Sequence, residues 1–161
     1  MAVNNFSSTP LAQATGATSK QCASKILQII PEITYFLRNE VRQYGQPRLS
    51  LSQLRILCFL ERHPQSSLSE VAEYLDVTRP TTSGAIERLV QQGLVDRASD
   101  PQERRKILLS LTSAGREYQQ QVYRAMLSRI EKKLGSLSQT QCCQLIDGLL
   151  LLETLFSETN P

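Results

Sequence analysis

The sequence predicts a mainly α-helical fold that carries one small β-hairpin. Hydrophobic residues make up 40% of the 161-residue chain and charged residues 20%, a balance typical of a soluble globular domain. Aromatic residues contribute 6% and tryptophan is absent, which favours helices over an all-β fold. Apolar residues recur every three or four positions over long segments, whereas only two short runs alternate.

A long first helix is predicted over residues 22–44, because the apolar residues there form one stripe at helical spacing. Pro31 lies inside the stripe and predicts either a kink or a helix that begins at Pro31. Residues 45–47 (GQP) are expected to end it. Residues 1–19 carry no charge, so we expect a flexible polar tail and neither a secretory signal nor a membrane anchor.

The second helix is predicted to open near Leu51 with Ser52 as its cap, and His63 with Pro64 ends it. His63 is the only histidine, and at a helix end it is more typical of a charge that interacts with the helix dipole than of a catalyst. The chain contains no zinc-protease, nucleophile-elbow, dinucleotide or phosphate-loop motif. We therefore expect no catalytic residue, no metal, no cofactor and no enzymatic activity.

Two short helices joined by a tight turn are predicted next. Ser69 is the expected cap of the first, and residues 76–78 (DVT) lead into another helix at about residues 79–92. Pro80 suits the first turn of that helix, where a missing N–H donor is harmless, and Gly93 suits a left-handed stop. This order is typical of a helix-turn-helix motif.

A β-hairpin is predicted after Gly93. Alternating residues 94–98 and 107–111 flank a polar loop that contains an Asp-Pro step and three successive cations, Arg104, Arg105 and Lys106. A helix-turn-helix motif followed by a basic hairpin is a winged helix, so residues 49–112 are predicted to form a DNA-binding region. Taken alone, three successive cations are more often a solvated loop than a DNA contact.

Two further helices are predicted at the end of the chain. Thr112 is the expected cap of a long helix that ends at Gly135, and a last helix begins at about Ser138. The last helix is apolar around most of its circumference. A second copy of the chain is the simplest cover for it, although a central helix inside a monomer is the alternative. Residues 20–48 and 113–161 are therefore predicted to form a dimerisation domain.

The expected partner of the winged helix is double-stranded DNA. Small hydroxyl side chains at the start of the second short helix allow close approach to base edges in the major groove. The predicted major-groove residues are Arg79, Pro80, Thr81, Thr82 and Ser83. Arg88 and Ser69 are predicted to contact phosphates, and the cations at positions 104–106 to flank the duplex, with an arginine in the minor groove.

Three strings carry a family resemblance: LVDR at residues 94–97, DPQERR at 100–105 and LTSAG at 111–115. With them, the stretch from about Leu49 to Gly115 resembles the multiple-antibiotic-resistance regulator (MarR) family of bacterial transcription regulators. The resemblance implies a cytoplasmic homodimer that binds a pseudo-palindromic operator. It also implies that Glu103 orients the wing-tip arginine, taken as Arg105. Gly84 departs from the family, since many members carry Arg or Lys there.

The resemblance further implies a repressor released by a small phenolic or carboxylic effector. The candidate polar contacts for such a ligand are Tyr35, Arg38, Arg42 and Arg55, although surface cations and a packing tyrosine are the commoner explanation of such residues. Two other interpretations stay open. One is a winged helix that docks proteins without binding DNA. The other is a thiol-based redox-responsive regulator, for which Cys22 lies about two helical turns too near the start of the chain.

Overall fold

The computed structural model describes residues 16–44, 48–100 and 107–157. Helices and short strands alternate along these residues in the order α1 (Ser19–Gln43), α2 (Leu51–Arg62), β1 (Ser66–Ser67), α3 (Leu68–Leu75), α4 (Arg79–Gln91), β2 (Val95–Ser99), β3 (Ile107–Leu111), α5 (Ser113–Leu134) and α6 (Gln139–Ser157). The mainly helical fold with a small β-sheet is confirmed. Within the described residues, no helix has the length and apolar character needed to cross a membrane.

The chain divides into two compact units, one that ends at Phe36 and one that begins at Leu37. Helix α1 continues through Pro31 without interruption, so it does not begin there. Its start is held by Thr18 and Gln21, each of which accepts a hydrogen bond from the backbone N–H of the other. Residues 1–15 of the expected tail and the expected stop at 45–47 lie outside the described residues.

A reciprocal capping pair determines where α2 begins. The Ser50 hydroxyl accepts from the N–H of Gln53 at 3.2 Å, and the Gln53 side chain accepts from the N–H of Ser50 at 2.9 Å. The predicted cap, Ser52, is therefore wrong. A capping box needs Gln or Glu three residues after the cap, and Arg55 occupies that position relative to Ser52.

The same correction applies to α3, which Ser67 caps together with Glu70. Ser69 is not the cap, because it lies inside the helix and Ala72 follows three residues later. The short strand β1, which ends at the capping residue Ser67, was not predicted. It pairs antiparallel with β3, which lies between β1 and β2 in the sheet.

The turn between α3 and α4 and the end of α4 follow the predicted pattern. Asp76 adopts the left-handed conformation, and its N–H donates to the last carbonyls of α3. After α4, Gly93 is also left-handed at φ 69°. The N–H of Gly93 donates to Val90 and the N–H of Leu94 donates to Leu89, which is the Schellman arrangement. The helix-turn-helix motif and the glycine stop are confirmed.

One hydrophobic core joins the second unit from α2 to α5. Its buried side chains come from every layer of the winged helix and include Val41, Leu49, Ile56, Leu57, Leu60, Val71, Ile86, Leu89, Leu94, Val95, Leu109 and Val122. Burial of each large aliphatic side chain contributes about 1.5–3 kcal/mol to stability. The core therefore holds α4 against the sheet and leaves the opposite face of α4 exposed.

The start of α5 locks onto the end of the α4–β2 connection. The Thr112 hydroxyl donates to the Gly93 carbonyl at 2.7 Å and accepts from the Gly115 N–H at 2.8 Å. The Thr112 N–H donates to the Leu94 carbonyl at 3.1 Å. Gly115 packs so closely on this connection that a Cβ there would overlap the Leu94 carbonyl oxygen. The LTSAG string therefore has two structural roles: its threonine caps α5, and its glycine allows close approach to the Leu94 backbone.

Polar contacts attach α5 to the preceding helices. Arg116 pairs with Glu61 at 3.0 Å, and Arg129 Nε lies 3.2 Å from Glu40 Oε2, an ion pair whose angles fall short of a hydrogen bond. The Tyr118 hydroxyl donates to a backbone carbonyl after α1, and burial raises the pKa of this phenol above its usual value. These contacts attach α5 both to α2 and to the end of α1.

Helix α6 differs from the other helices of the second unit because none of its residues is buried in the single chain. Its exposed large apolar residues are Leu145, Ile146, Leu149, Leu150, Leu151, Leu155 and Phe156. In the first unit, α1 likewise exposes Leu27, Ile29, Ile30, Ile33 and Tyr35. Exposed apolar surface of this extent marks an interaction site rather than an ordinary monomer surface.

Candidate nucleic-acid interface

The start of α4 presents polar side chains to solvent. Arg79, Pro80 and Thr81 are exposed, and Ser83 is half-buried. Thr78 precedes the helix, and its hydroxyl oxygen lies 3.0 Å from that of Thr81. Four of the five predicted major-groove residues are thus wholly or partly accessible at one end of one helix, as close approach to base edges requires.

Thr82 is the exception and does not belong to this surface. Its side chain is 1% exposed, and its hydroxyl donates to the Thr78 carbonyl at 3.2 Å. The reason is helical periodicity, since Thr82, Ile86 and Leu89 form one inward-facing row. That row was visible in the sequence, and it should have removed Thr82 from the predicted contacts.

The accessible face of α4 also carries an ion pair that the sequence analysis missed. Glu87 Oε2 lies 2.8 Å from the Arg97 guanidinium of β2, with both side chains partly exposed. Gln91 donates to the other oxygen of Glu87 at 3.5 Å. The pair offsets a carboxylate charge that would otherwise repel DNA phosphates. Arg88, the predicted phosphate contact, is exposed on the same face.

The start of α3 is less suited to a phosphate than the sequence predicts. Ser69 is half-buried within the helix. The Glu70 carboxylate accepts from the Ser67 N–H at 2.6 Å and so already occupies the positive end of the helix dipole. A phosphate contact at Ser69 stays a prediction.

The wing residues divide into a described stem and an undescribed tip. Strands β2 and β3 pair antiparallel from Val95↔Leu111 to Ser99↔Ile107, which confirms the predicted hairpin stem. The residues assigned to the minor groove, Arg104, Arg105 and Lys106, and the positioning residue Glu103 lie outside the described residues. Their roles stay predictions.

The proposed effector contacts are distributed along α1 and α2. Tyr35, Arg38 and Arg42 are exposed on α1. Arg55 instead lies over the ring of Tyr74 with its guanidinium carbon 5.5 Å from the ring centroid, and Arg62 donates to the Tyr74 hydroxyl at 3.1 Å. Stacking on an aromatic ring gives Arg55 a structural role, and the effector assignment of all four residues stays a prediction.

The cysteines are free thiols. Cys58 is half-buried and its sulfur accepts from the Gln119 amide at 3.3 Å, whereas Cys22 is exposed. Across residues 16–44, 48–100 and 107–157, no group of three or more His, Cys, Asp or Glu side chains is arranged to hold a metal ion.

The family model described as "MarR family" matches residues 49–106, from just before α2 to the residue before β3. The chain is 24% identical over 113 residues to the HTH-type transcriptional regulator YfiV of Bacillus subtilis, a match that covers 70% of this chain and 71% of that protein. It is 36% identical over 74 residues to the HTH-type transcriptional repressor NicR of Pseudomonas putida, covering 46% of this chain and 47% of NicR.

A solved structure shares the fold over nearly the whole chain. The Streptococcus pneumoniae protein FabT, crystallised in complex with DNA, superposes with a TM-score of 0.72 at 20% identity and covers 89% of this chain and 100% of the FabT chain. The family match spans the helix-turn-helix motif, and the fold extends the likeness to the flanking helices. Residues 49–106 of the chain are therefore similar to the MarR family, relatives of this stretch are named HTH-type transcriptional regulators, and the chain shares the fold of FabT.

Proposed function

We propose that the chain acts as a homodimeric, sequence-specific DNA-binding repressor that a small-molecule ligand releases from its operator. The observation that carries the proposal is the exposed start of α4, where Arg79, Pro80, Thr81 and Ser83 are accessible on a helix held by the core. The name of NicR as a repressor and the DNA complex of FabT support it.

In this proposal the start of α4 enters the major groove and Arg88 contacts the phosphate backbone. Polar side chains at a helix start fit the groove and hydrogen-bond to base edges, whereas an arginine about one turn further along reaches a phosphate. The wing tip, with Arg105 as its leading cation, enters the adjacent minor groove. The core residues of α4 and the sheet set the spacing between the two contacts, and the Glu87–Arg97 pair links the wing stem to α4 at 2.8 Å.

The dimer is proposed from the exposed apolar surface of α6. A helix of 19 residues without one buried side chain cannot be stable in water unless another surface covers it. A second copy of the chain supplies that cover with two-fold symmetry. Two helix-turn-helix motifs then read half-sites about ten base pairs apart.

The effector is proposed to be a small aromatic or anionic molecule. Arg38 and Arg42 are four residues apart on α1 and both exposed, so they present two guanidinium groups on one side of that helix. An open, mainly apolar groove of about 590 Å³ lies between the end of α5 and the start of α6 and suits the aromatic part of a ligand; it is lined by Leu127, Ile130, Glu131, Leu134, Gly135, Leu137 and Cys142. Either feature suits part of an aromatic carboxylate.

Selection of bound duplexes from a random pool tests the proposal. We expect a palindromic consensus whose half-sites lie about ten base pairs apart. If the protein binds no duplex at low salt, the result would contradict sequence-specific DNA binding and would favour the protein-docking interpretation. Enrichment of single half-sites only would contradict the dimer.

Substitution of the wing cation gives a quantitative prediction. Arg105→Ala is expected to weaken operator binding by about 1–3 kcal/mol, because an arginine in the narrow minor groove interacts strongly with its negative potential. The slope of log affinity against log salt should also fall by about one unit for each lost phosphate contact. Fluorescence anisotropy over a salt series measures both.

The matched control for this prediction is Arg124→Ala, which removes the same charge from the exposed surface of α5. The control should leave both affinity and salt slope close to the wild-type values. Equal losses for the two variants would show that only net charge matters, and the wing assignment would then be wrong.

A further inference from the structure

Gly84 lies at the centre of the exposed face of α4. The inward row of that helix consists of Thr82, Ile86 and Leu89. At 3.6 residues per turn, Gly84 is about 170° around the helix axis from the middle of this row. The exposed neighbours one turn away are Pro80 and Arg88. The face that points most directly away from the core therefore has no side chain at its centre.

The fold does not require glycine at this position. A Cβ built on Gly84 meets no atom within 4 Å, and the backbone there is helical rather than left-handed. Glycine in a helix interior destabilises the helix by about 0.5–1 kcal/mol relative to alanine. The missing side chain is thus unfavourable for the free protein, and any benefit must come from a partner of this face.

The surroundings of Gly84 are apolar on the side toward the start of the helix. Pro80 and Thr81 are both exposed there, and the Thr81 hydroxyl lies 3.0 Å from the Thr78 hydroxyl, so Thr81 can offer its methyl group to a partner. We call Pro80, Thr81 and Gly84 the Gly84 notch. The carboxylate of the neighbouring Glu87 is already paired with Arg97 at 2.8 Å and accepts a hydrogen bond from Gln91.

We propose that the Gly84 notch receives the C5-methyl group of a thymine. This inference rests on the proposed function, in which α4 lies in the major groove. Among the groups that base pairs present in that groove, the thymine methyl is the apolar one, and it is normally recognised by apolar contact. The neighbouring Arg88 suits a phosphate better than the notch does, because the three residues of the notch carry no charge. Gly84 is then a specificity-determining residue that acts through the absence of a Cβ.

The test adds one methyl group to the protein, by Gly84→Ala, and removes one from the DNA, by replacing thymine with deoxyuridine. A duplex selected from a random pool by the wild-type chain is prepared with single thymine-to-deoxyuridine replacements, made symmetrically in both half-sites, which remove only the C5-methyl group. Dissociation constants are measured for the wild type and for Gly84→Ala. On the thymine duplex, Gly84→Ala is expected to bind about 10-fold to 100-fold more weakly, because its methyl group overlaps that of the base.

On one of the deoxyuridine duplexes, Gly84→Ala should bind within about 3-fold of the affinity that the wild-type protein has for that same duplex. The space left by the missing base methyl group then accommodates the alanine methyl group. The same replacement should weaken wild-type binding. Urea unfolding serves as the control for folding, and Gly84→Ala should be at least as stable as the wild type.

Three results would overturn the proposal. They are equal affinity of wild type and Gly84→Ala for the thymine duplex, a loss that no deoxyuridine replacement relieves, and a selected consensus without a recurrent thymine in the α4 footprint. A wild-type chain that selects no duplex would overturn the proposed function itself, and the notch proposal with it. If the wild-type protein binds its selected duplex and Gly84→Ala is folded, a negative result contradicts the notch proposal alone. If the wild type binds no duplex, the proposed function is contradicted.

Discussion

Gly115→Ala is expected to lower the free energy of unfolding by about 3 kcal/mol, the upper end of the usual range for overpacked sites. The added Cβ would overlap the Leu94 carbonyl oxygen and lie 2.8 Å from the carbonyl carbon. Both partners are backbone, so neither can rotate away. Relief requires α5 to move off the α4–β2 connection, which breaks the bonds that Thr112 makes to Gly93 and Leu94.

Urea unfolding of the full chain at fixed protein concentration measures this loss. Gly84→Ala is the matched control, because the same substitution there meets open space and should stabilise the chain by about 0.5–1 kcal/mol. The difference between the two variants isolates packing from helix propensity. If Gly115→Ala unfolds at the wild-type urea concentration, the close approach of Gly115 to Leu94 is wrong.

Leu149→Glu is expected to convert the dimer into monomers and to reduce operator affinity by about 10²–10⁴-fold, the gain that two linked half-site contacts provide. Leu149 is 55% exposed in the single chain and lies in the apolar surface of α6. In the proposed dimer this side chain is buried, and an unpaired carboxylate buried in its place costs several kcal/mol. Sedimentation measures the mass, and fluorescence anisotropy measures the affinity.

Thr154→Glu provides the control on the same helix. Thr154 shares a polar strip of α6 with Thr140 and Asp147, at intervals of seven residues. The same new charge in that strip should leave the chain dimeric and the operator affinity near the wild-type value. A Leu149→Glu chain that stays dimeric would show that the α6 surface does not join the subunits, whereas a wild-type chain that sediments as a monomer would favour the central-helix interpretation.

Local signals account for the parts of the fold that were predicted correctly. The left-handed Gly93, Pro80 in the first turn of α4 and the Thr112 cap each act within about five residues, so neighbouring residues determine them. Ser52 and Ser69 were wrongly predicted as caps because neither has a glutamine or glutamate three residues later. The glutamine or glutamate of the capping box identifies Ser50 and Ser67 as the caps.

Contacts between distant residues were not predictable in this way. Glu87 and Arg97 meet only because β2 packs beside α4, and Arg55 reaches Tyr74 only because α2 packs on α3. Strand β1 has two serines and no strand pattern of its own, and it exists because β3 offers an unpaired edge. Each contact depends on the arrangement of two elements, which neither element encodes alone.

The sequence by itself determined the order of the helices, the helix-turn-helix turn, the hairpin stem and the family strings, because backbone propensity, capping and hydrophobic periodicity act over a few residues. Only the tertiary structure decided that Thr82 belongs to the core, that Gly115 must lack a side chain and that Gly84 does not need to lack one. The space around a residue is set by chain segments far away in sequence, and that space separates a structural glycine from one that serves a partner.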